Sequence, residues 1–157
     1  MPNKPFAKDN QAGQILRDWW ENLEENRGDR AAIKRCRESA SVVFIPAYQT
    51  LHRNLLGKED IWMDSLPAIA GLIAHVKTLN NDPLPEQMAS GDKPAVSELR
   101  FRRLLQADRK ELFQYLRRTI KLLNDSANIY SLANSIHYWN DRTKREWAYA
   151  YYGKLQK

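Results

Sequence analysis

The sequence predicts an all-α protein, a compact bundle of seven or eight helices, and three observations carry that prediction. Apolar residues recur at three- and four-residue intervals through most of the chain. No segment sustains the two-residue alternation of a half-buried strand. Helix-start signals, at Ile45-Pro46, Ser97 and Asp108, punctuate the pattern at sensible distances.

The elements follow in order. Residues 1–8 read as a loose leader containing Pro2 and Pro5. Asp9 is placed to cap a helix over about 9–25, with Ile15, Leu16, Trp19, Trp20 and Leu23 inward. Gly28-Asp29 then breaks the chain, and a short helix over about 30–38 turns Ala32, Ile33 and Cys36 inward. Pro46 suits a first helical turn, so a third helix runs from there to about Asn54 and stops near Gly57. The stretch 60–79 is apolar on most sides (Ile61, Trp62, Leu66, Ile69, Leu72, Ile73, Val76), which marks a central helix. Residues 80–96 hold three of the seven prolines and Gly91, and read as a loop or linker.

Ser97 opens the next helix. Asp108 and Glu111 have capping-box spacing, so another helix restarts there. On that helix Leu112, Leu116, Ile120 and Leu123 fall on one side, and Gln114, Arg117, Arg118 and Lys121 on the other. A helix over about 128–139 buries Ile129, Leu132, Ile136 and Trp139, and Asp141 caps a last one carrying Trp147, Tyr151 and Leu155. The length of 157 residues fits one domain. It would consist of an N-terminal half over about 9–79, the 80–96 loop, and a basic C-terminal half over about 97–157.

Charge is the first pointer to function. The net charge is +6, and residues 97–157 carry 13 Lys and Arg against 6 Asp and Glu, while the rest of the chain is nearly neutral. That asymmetry suggests an anionic partner. A single cysteine, Cys36, excludes an internal disulfide and fits a reducing compartment. The N-terminus shows no signal-peptide pattern and no apolar run is long enough to span a bilayer, so a cytoplasmic protein without membrane contact is expected.

Catalytic motifs are missing. His52, His75 and His137 lie far apart and outside any metal-ligand spacing, and there is no Walker A loop, GxGxxG or GxSxG. Cys36 has Lys34, Arg35 and Arg37 beside it but sits on the apolar side of its helix, as an inert thiol would. The carboxylate pairs Glu24-Glu25 and Glu59-Asp60 read as solvation and capping of helix ends. No enzymatic activity and no cofactor are expected.

Four basic clusters remain: Arg30, Lys34 and Arg37, with Arg35 to the side; Arg100, Arg102 and Arg103; Arg109 followed by Arg117, Arg118 and Lys121; and Arg142, Lys144 and Arg145. Each alone is what a solvated helix face looks like. Together they are rich in Arg, whose planar fork suits phosphate. Cations in the first turn of the last helix oppose its dipole, and a bound phosphate would reverse that penalty at Arg142. From the residues themselves two readings stay open: a helical nucleic-acid-binding protein, or a helical protein-interaction adaptor with a basic face.

The ordered series of motifs adds a resemblance. VSELRFRRLLQADRKELFQYLRRTIKLL, followed by IYSLANSIHYWNDRTKREWAYAYY, resembles the CasB-type small subunit of type I-E Cascade, the RNA-guided surveillance complex of CRISPR immunity. LRDWWENL, AAIKRCR and IPAYQTLHR extend the similarity over roughly 10–155. The resemblance implies a non-catalytic antiviral-defence subunit, present in two copies lying head to tail. These would bridge the backbone and large subunits and help hold the guide RNA–target DNA heteroduplex and the displaced strand. Sequence is then read by pairing with the guide, and the protein touches only backbone. Lys34, Arg35, Arg109, Arg118 and Arg142 become the implied contacts, with Arg37, Arg102, Arg103, Arg117 and Lys121 beside them in the same clusters. Trp139, Trp147 and Tyr151 fall at helical spacing with core residues and are expected to be buried, not to stack on bases.

Overall fold

The computed structural model describes residues 4–58 and 61–155. The pair Glu59-Asp60 and the first residue of the helix expected over 60–79 therefore lie outside the described residues. Among those described there are ten α-helices and a single two-stranded ribbon, which bears out the all-α class. The helices are α1 (Gln11–Glu25), α2 (Arg27–Lys34), α3 (Ser39–Val42), α4 (Pro46–Leu55), α5 (Leu66–Ile73), α6 (Leu84–Ala89), α7 (Glu98–Gln106), α8 (Arg109–Leu122), α9 (Ile129–His137) and α10 (Asp141–Lys154). Strands β1 (Thr78–Leu79) and β2 (Ser126–Ala127) pair in parallel, Thr78 opposite Ser126.

Helix α1 buries Leu16, Trp19, Trp20 and Leu23, as its spacing predicts. Its N-cap is Asn10, not Asp9. The Asn10 amide instead donates back to the Lys4 carbonyl at 3.0 Å, which ties the leading segment to the helix start. That approach is close: a Cβ on Gly13 would lie 2.0 Å from the Ala7 carbonyl oxygen. The break before α2 falls at Asn26, and Gly28-Asp29 lies inside the helix. Asp29 sits in the first turn of α2, where a carboxylate complements the helix dipole. Helix α2 ends before Cys36, which is half-buried with Sγ 3.5 Å from the Ala32 carbonyl.

Helix α5 is the hub. It packs on α2, α3, α4, α8 and α9, and buries Leu66, Ile69, Ala70, Gly71, Leu72 and Ile73. It is far shorter than the expected helix over 60–79. A 3-10 turn (Met63–Ser65) precedes it, Pro67 sits in its first turn, and the chain leaves helical geometry to form β1. The stretch 80–96 is likewise not a plain loop. Pro83 and Pro85 sit at the cap and first turn of α6, where proline costs no hydrogen bond. Helix α6 is buried through Leu84, Pro85, Gln87, Met88 and Ala89 and packs on α10. The Gln87 amide donates to the Ser126 carbonyl at 3.1 Å and its carbonyl accepts from Asn128 N–H at 3.1 Å, which anchors α6 to β2.

The corner between α7 and α8 forms as its sequence signals predict. Ser97 Oγ accepts from Arg100 N–H, and Asp108 and Glu111 make a reciprocal capping box at 2.8 and 3.2 Å. Helix α8 ends in two consecutive left-handed residues, Asn124 (φ 60°) and Asp125 (φ 61°), which reverse the chain into β2. Helices α9 and α10 are capped by Asn128 and Asn140, the latter one residue ahead of the expected Asp141. Trp139, Trp147 and Tyr151 are core residues, as expected. The two tryptophans meet edge to face at 5.1 Å. Tyr151 stacks on Phe101 at 3.9 Å and donates to the Val96 carbonyl at 2.6 Å. No helix among the described residues is long and apolar enough to cross a membrane.

Two glycines in helices give opposite expectations. Gly13→Ala forces the Ala7 backbone aside and should destabilise by about 1–3 kcal/mol. Gly153→Ala meets nothing within 4 Å on an exposed helical turn and should stabilise by up to about 1 kcal/mol. Urea midpoints of the two variants check both signs.

Candidate nucleic-acid interface

Because α2 and α8 both pack on α5, two basic segments far apart in sequence meet at its C-terminal end. His75 marks the meeting point. Burial is the main cause that lowers its pKa to about 4, and the charges of Arg117, Lys34 and Lys121 push it the same way against Asp125. Its Nε2 is buried and has no hydrogen-bond partner among the described residues. Arg117 and Lys121 lie one turn apart on the outer side of α8, opposite buried Leu112, Leu116 and Ile120. Gln114 stitches the two segments together: its amide donates to the Arg37 carbonyl and its carbonyl accepts from Arg117 Nη1 at 3.5 Å. Lys34, Arg117 and Lys121 thus lie around His75 on a face between α2 and α8, and the Arg37 backbone is tied to the same place through Gln114.

The ribbon holds that face in place. Lys77 N–H donates to the Asp125 carbonyl at 2.7 Å and Asn80 N–H to the Ala127 carbonyl at 3.1 Å. The end of α8, with Lys121 on it, is thereby clamped to the segment that follows α5. Asp125 is itself 3.7 Å from Lys77 Nζ.

The other expected site residues occupy neighbouring elements. Arg35 is the exposed C-cap of α2, and Arg118 is exposed on α8 with its guanidinium 6.0 Å over the Tyr115 ring. Arg102 and Arg103 are exposed on α7. Arg109 is already engaged. It donates to the Ile136 carbonyl at 3.0 Å and lies 4.5 Å over the Trp62 ring, and burial pulls its pKa below the ordinary arginine value. Its remaining N–H groups leave it able to donate elsewhere. Arg142 pairs with Glu146 at 3.5 Å on α10, beside a cleft of about 650 Å³ that Glu86, Asn134 and Tyr138 also line.

Arg30 departs from the expected cluster. It donates from Nε to the Ala74 carbonyl at 2.9 Å and from Nη2 to the Val76 carbonyl at 2.5 Å, so it caps the end of α5. Arg37 lies beyond the end of α2, so the three do not share a helix face. His137 is buried and its Nε2 accepts from Trp62 N–H at 2.6 Å, while Asp108 and Glu111 are spent on the α8 cap. Among the described residues no group of His, Cys, Asp and Glu is placed to hold a metal ion. The sequence shows His75 only as a lone histidine, with no signal of the nearby Lys34, Arg117 and Lys121.

These features define a class, an all-helical protein with basic faces carried on an apolar hub. The model of the family described as CRISPR-associated protein Cse2 matches residues 29–152, and the chain belongs to that family. In fold it is similar to a chain in the crystal structure of E. coli Cascade bound to a PAM-containing dsDNA target. That match has a TM-score of 0.74 and 19% identity, and covers 92% of this chain and 95% of that one. It is also similar to the crystal structure of CasB from Thermus thermophilus, with a TM-score of 0.66, 23% identity, and coverage of 91% and 98%. No curated protein matches the chain.

Two measurements test this arrangement. Arg30→Ala leaves the Ala74 carbonyl without its donor and should cost about 1–3 kcal/mol, whereas Lys34→Ala should change stability by no more than about 0.5 kcal/mol. The His75 pKa in the folded chain lies below the ordinary 6.5, so its contribution to stability is complete above pH 6.5 and is lost as pH falls toward 4. His137, lowered by burial and by Arg109, acts in the same direction. Denaturant midpoints across that window should fall with acid, and His75→Gln should flatten part of the slope.

Proposed function

We propose that this chain is the non-catalytic small subunit of a Cascade-type RNA-guided complex and that its basic faces hold nucleic-acid backbone there. The observation that carries this reading is the α2–α8 face, where Gln114 bonds both the Arg37 carbonyl and Arg117, and where Lys34, Arg117 and Lys121 all lie near the buried His75. Concentrating like charge costs the free protein, and a polyanion laid across the face offsets that cost. Lys34, Arg35, Arg37, Arg117, Arg118 and Lys121 are the core of the site, and Arg102, Arg103, Arg109 and Arg142 extend it. These residues recognise phosphate and leave sequence to guide pairing. The partners in this reading are the guide RNA, the target DNA and displaced strand, the backbone and large subunits, and a second copy of the chain. It works in the cytoplasm and performs no chemistry of its own.

The test is the double reversal Arg117→Glu, Lys121→Glu in the assembled complex. Target binding should weaken equally for all target sequences, and the log–log salt slope should fall by roughly 0.7–0.9 for each phosphate that the protein no longer neutralises. Unchanged target binding would sink the assignment of the face. A partner retained after nuclease digestion, with no affinity for a scrambled oligonucleotide, would mark a protein adaptor instead.

A further inference from the structure

Helix α10 carries a second feature that the α2–α8 face does not use. At about 100° per residue, Arg142, Arg145, Tyr149 and Tyr152 fall within an arc of about 80°. All four are exposed, while Trp147 and Tyr151 on the same helix are buried. Tyr149 is 82% exposed, the surface of a ring that packs on almost nothing. Tyr152 is 41% exposed, and its plane is set by edge contacts with the core rings Phe101 at 6.0 Å and Tyr151 at 5.3 Å. The stripe runs about 15 Å along the helix.

Its chemistry is cation, cation, ring, ring. Arg142 has an ion pair with Glu146, but both side chains are at least half exposed, and such pairs bind their members weakly. Arg142 lies in the first turn of α10, where a cation opposes the helix dipole and an arriving phosphate reverses the sign. The stripe is one side chain wide, a narrow strip against the roughly 800 Å² that each partner buries in a stable protein interface. Single-stranded nucleic acid offers both halves of the match, phosphates for guanidinium groups and unpaired bases for rings.

We propose that the Arg142–Arg145–Tyr149–Tyr152 stripe is a track for single-stranded nucleic acid, in which the two tyrosines stack unpaired bases and the two arginines hold the phosphates between them. This rests on the reading of the chain as a nucleic-acid-binding subunit and adds that part of its surface selects unpaired strands. The track distinguishes strand states without reading sequence, because every base has a stacking face.

The test uses the full chain at low ionic strength, where phosphate contacts are strongest, and three probes of equal length: a labelled oligo-dT, an abasic oligonucleotide, and a duplex. Fluorescence anisotropy is measured for the wild type, Tyr149→Ala and Tyr149→Trp. Tyr149→Ala should weaken oligo-dT binding at least about fivefold, leave the abasic and duplex probes unchanged, and keep the salt slope. Tyr149→Trp should restore oligo-dT binding. Equal behaviour of all three probes in Tyr149→Ala, with Arg117→Glu, Lys121→Glu still weakening each, overturns the track and leaves the backbone-holding function standing. A wild type that binds none of the probes overturns the track, while the double reversal in the assembled complex decides the backbone-holding function separately. The high exposure of Tyr149 keeps the variants folded, and circular dichroism verifies it.

Discussion

The structure depends on how the buried C-terminal end of α5 satisfies its carbonyls. A helix that is apolar on nearly all sides can sit at the centre of a bundle, but its last carbonyls then have no water to accept from. Here the Ala74 carbonyl takes a hydrogen bond from Arg30, and the Val76 carbonyl takes one from Arg30 and a second from Trp20. Trp20 belongs to α1 and Arg30 to α2, so one polar requirement fixes both helices to the hub. Bonds from a charged guanidinium are stronger than neutral ones, and an unmet carbonyl here would cost its whole desolvation energy.

The same requirement places the candidate site. Once Arg30 is docked against the end of α5, the rest of α2 has only one way to run, and Lys34 arrives beside His75. From the other side the parallel ribbon brings Lys121 and Arg117 to the same place. An arginine spent inside the fold thus positions the lysine and arginines left outside it. Gln114, reaching from α8 to the Arg37 carbonyl, holds the two halves of the face in register.

What the sequence discloses tracks how local each cause is. Helix α8 is legible because its start is a four-residue capping box and its face a simple period. Helix α5 reads too long because an apolar stretch has no polar side to lose its rhythm; its end is decided by Arg30 and Trp20, residues more than forty positions away. Helix α6 is hidden because Pro83, Pro85 and Gly91 look like a loop, and only its packing on α10 shows that the prolines begin a helix. For the site, the basic clusters are visible but their grouping is not. Arg30 reads as one more surface cation until its carbonyl partners are seen, and the approach of Lys34 to Arg117 spans more than eighty residues of intervening chain.

Tyr151 has a consequence for how the molecule comes into being on the ribosome. It is wholly buried, stacks on Phe101, and donates to the Val96 carbonyl, while its helix covers α6. These contacts join the last helix to segments made fifty or more residues earlier. Until α10 has left the exit tunnel, the apolar side of α6 and the Phe101 ring stay uncovered in the nascent chain. The fold therefore closes only once Tyr151 has emerged, and a chain stalled short of it would present that open side to chaperones.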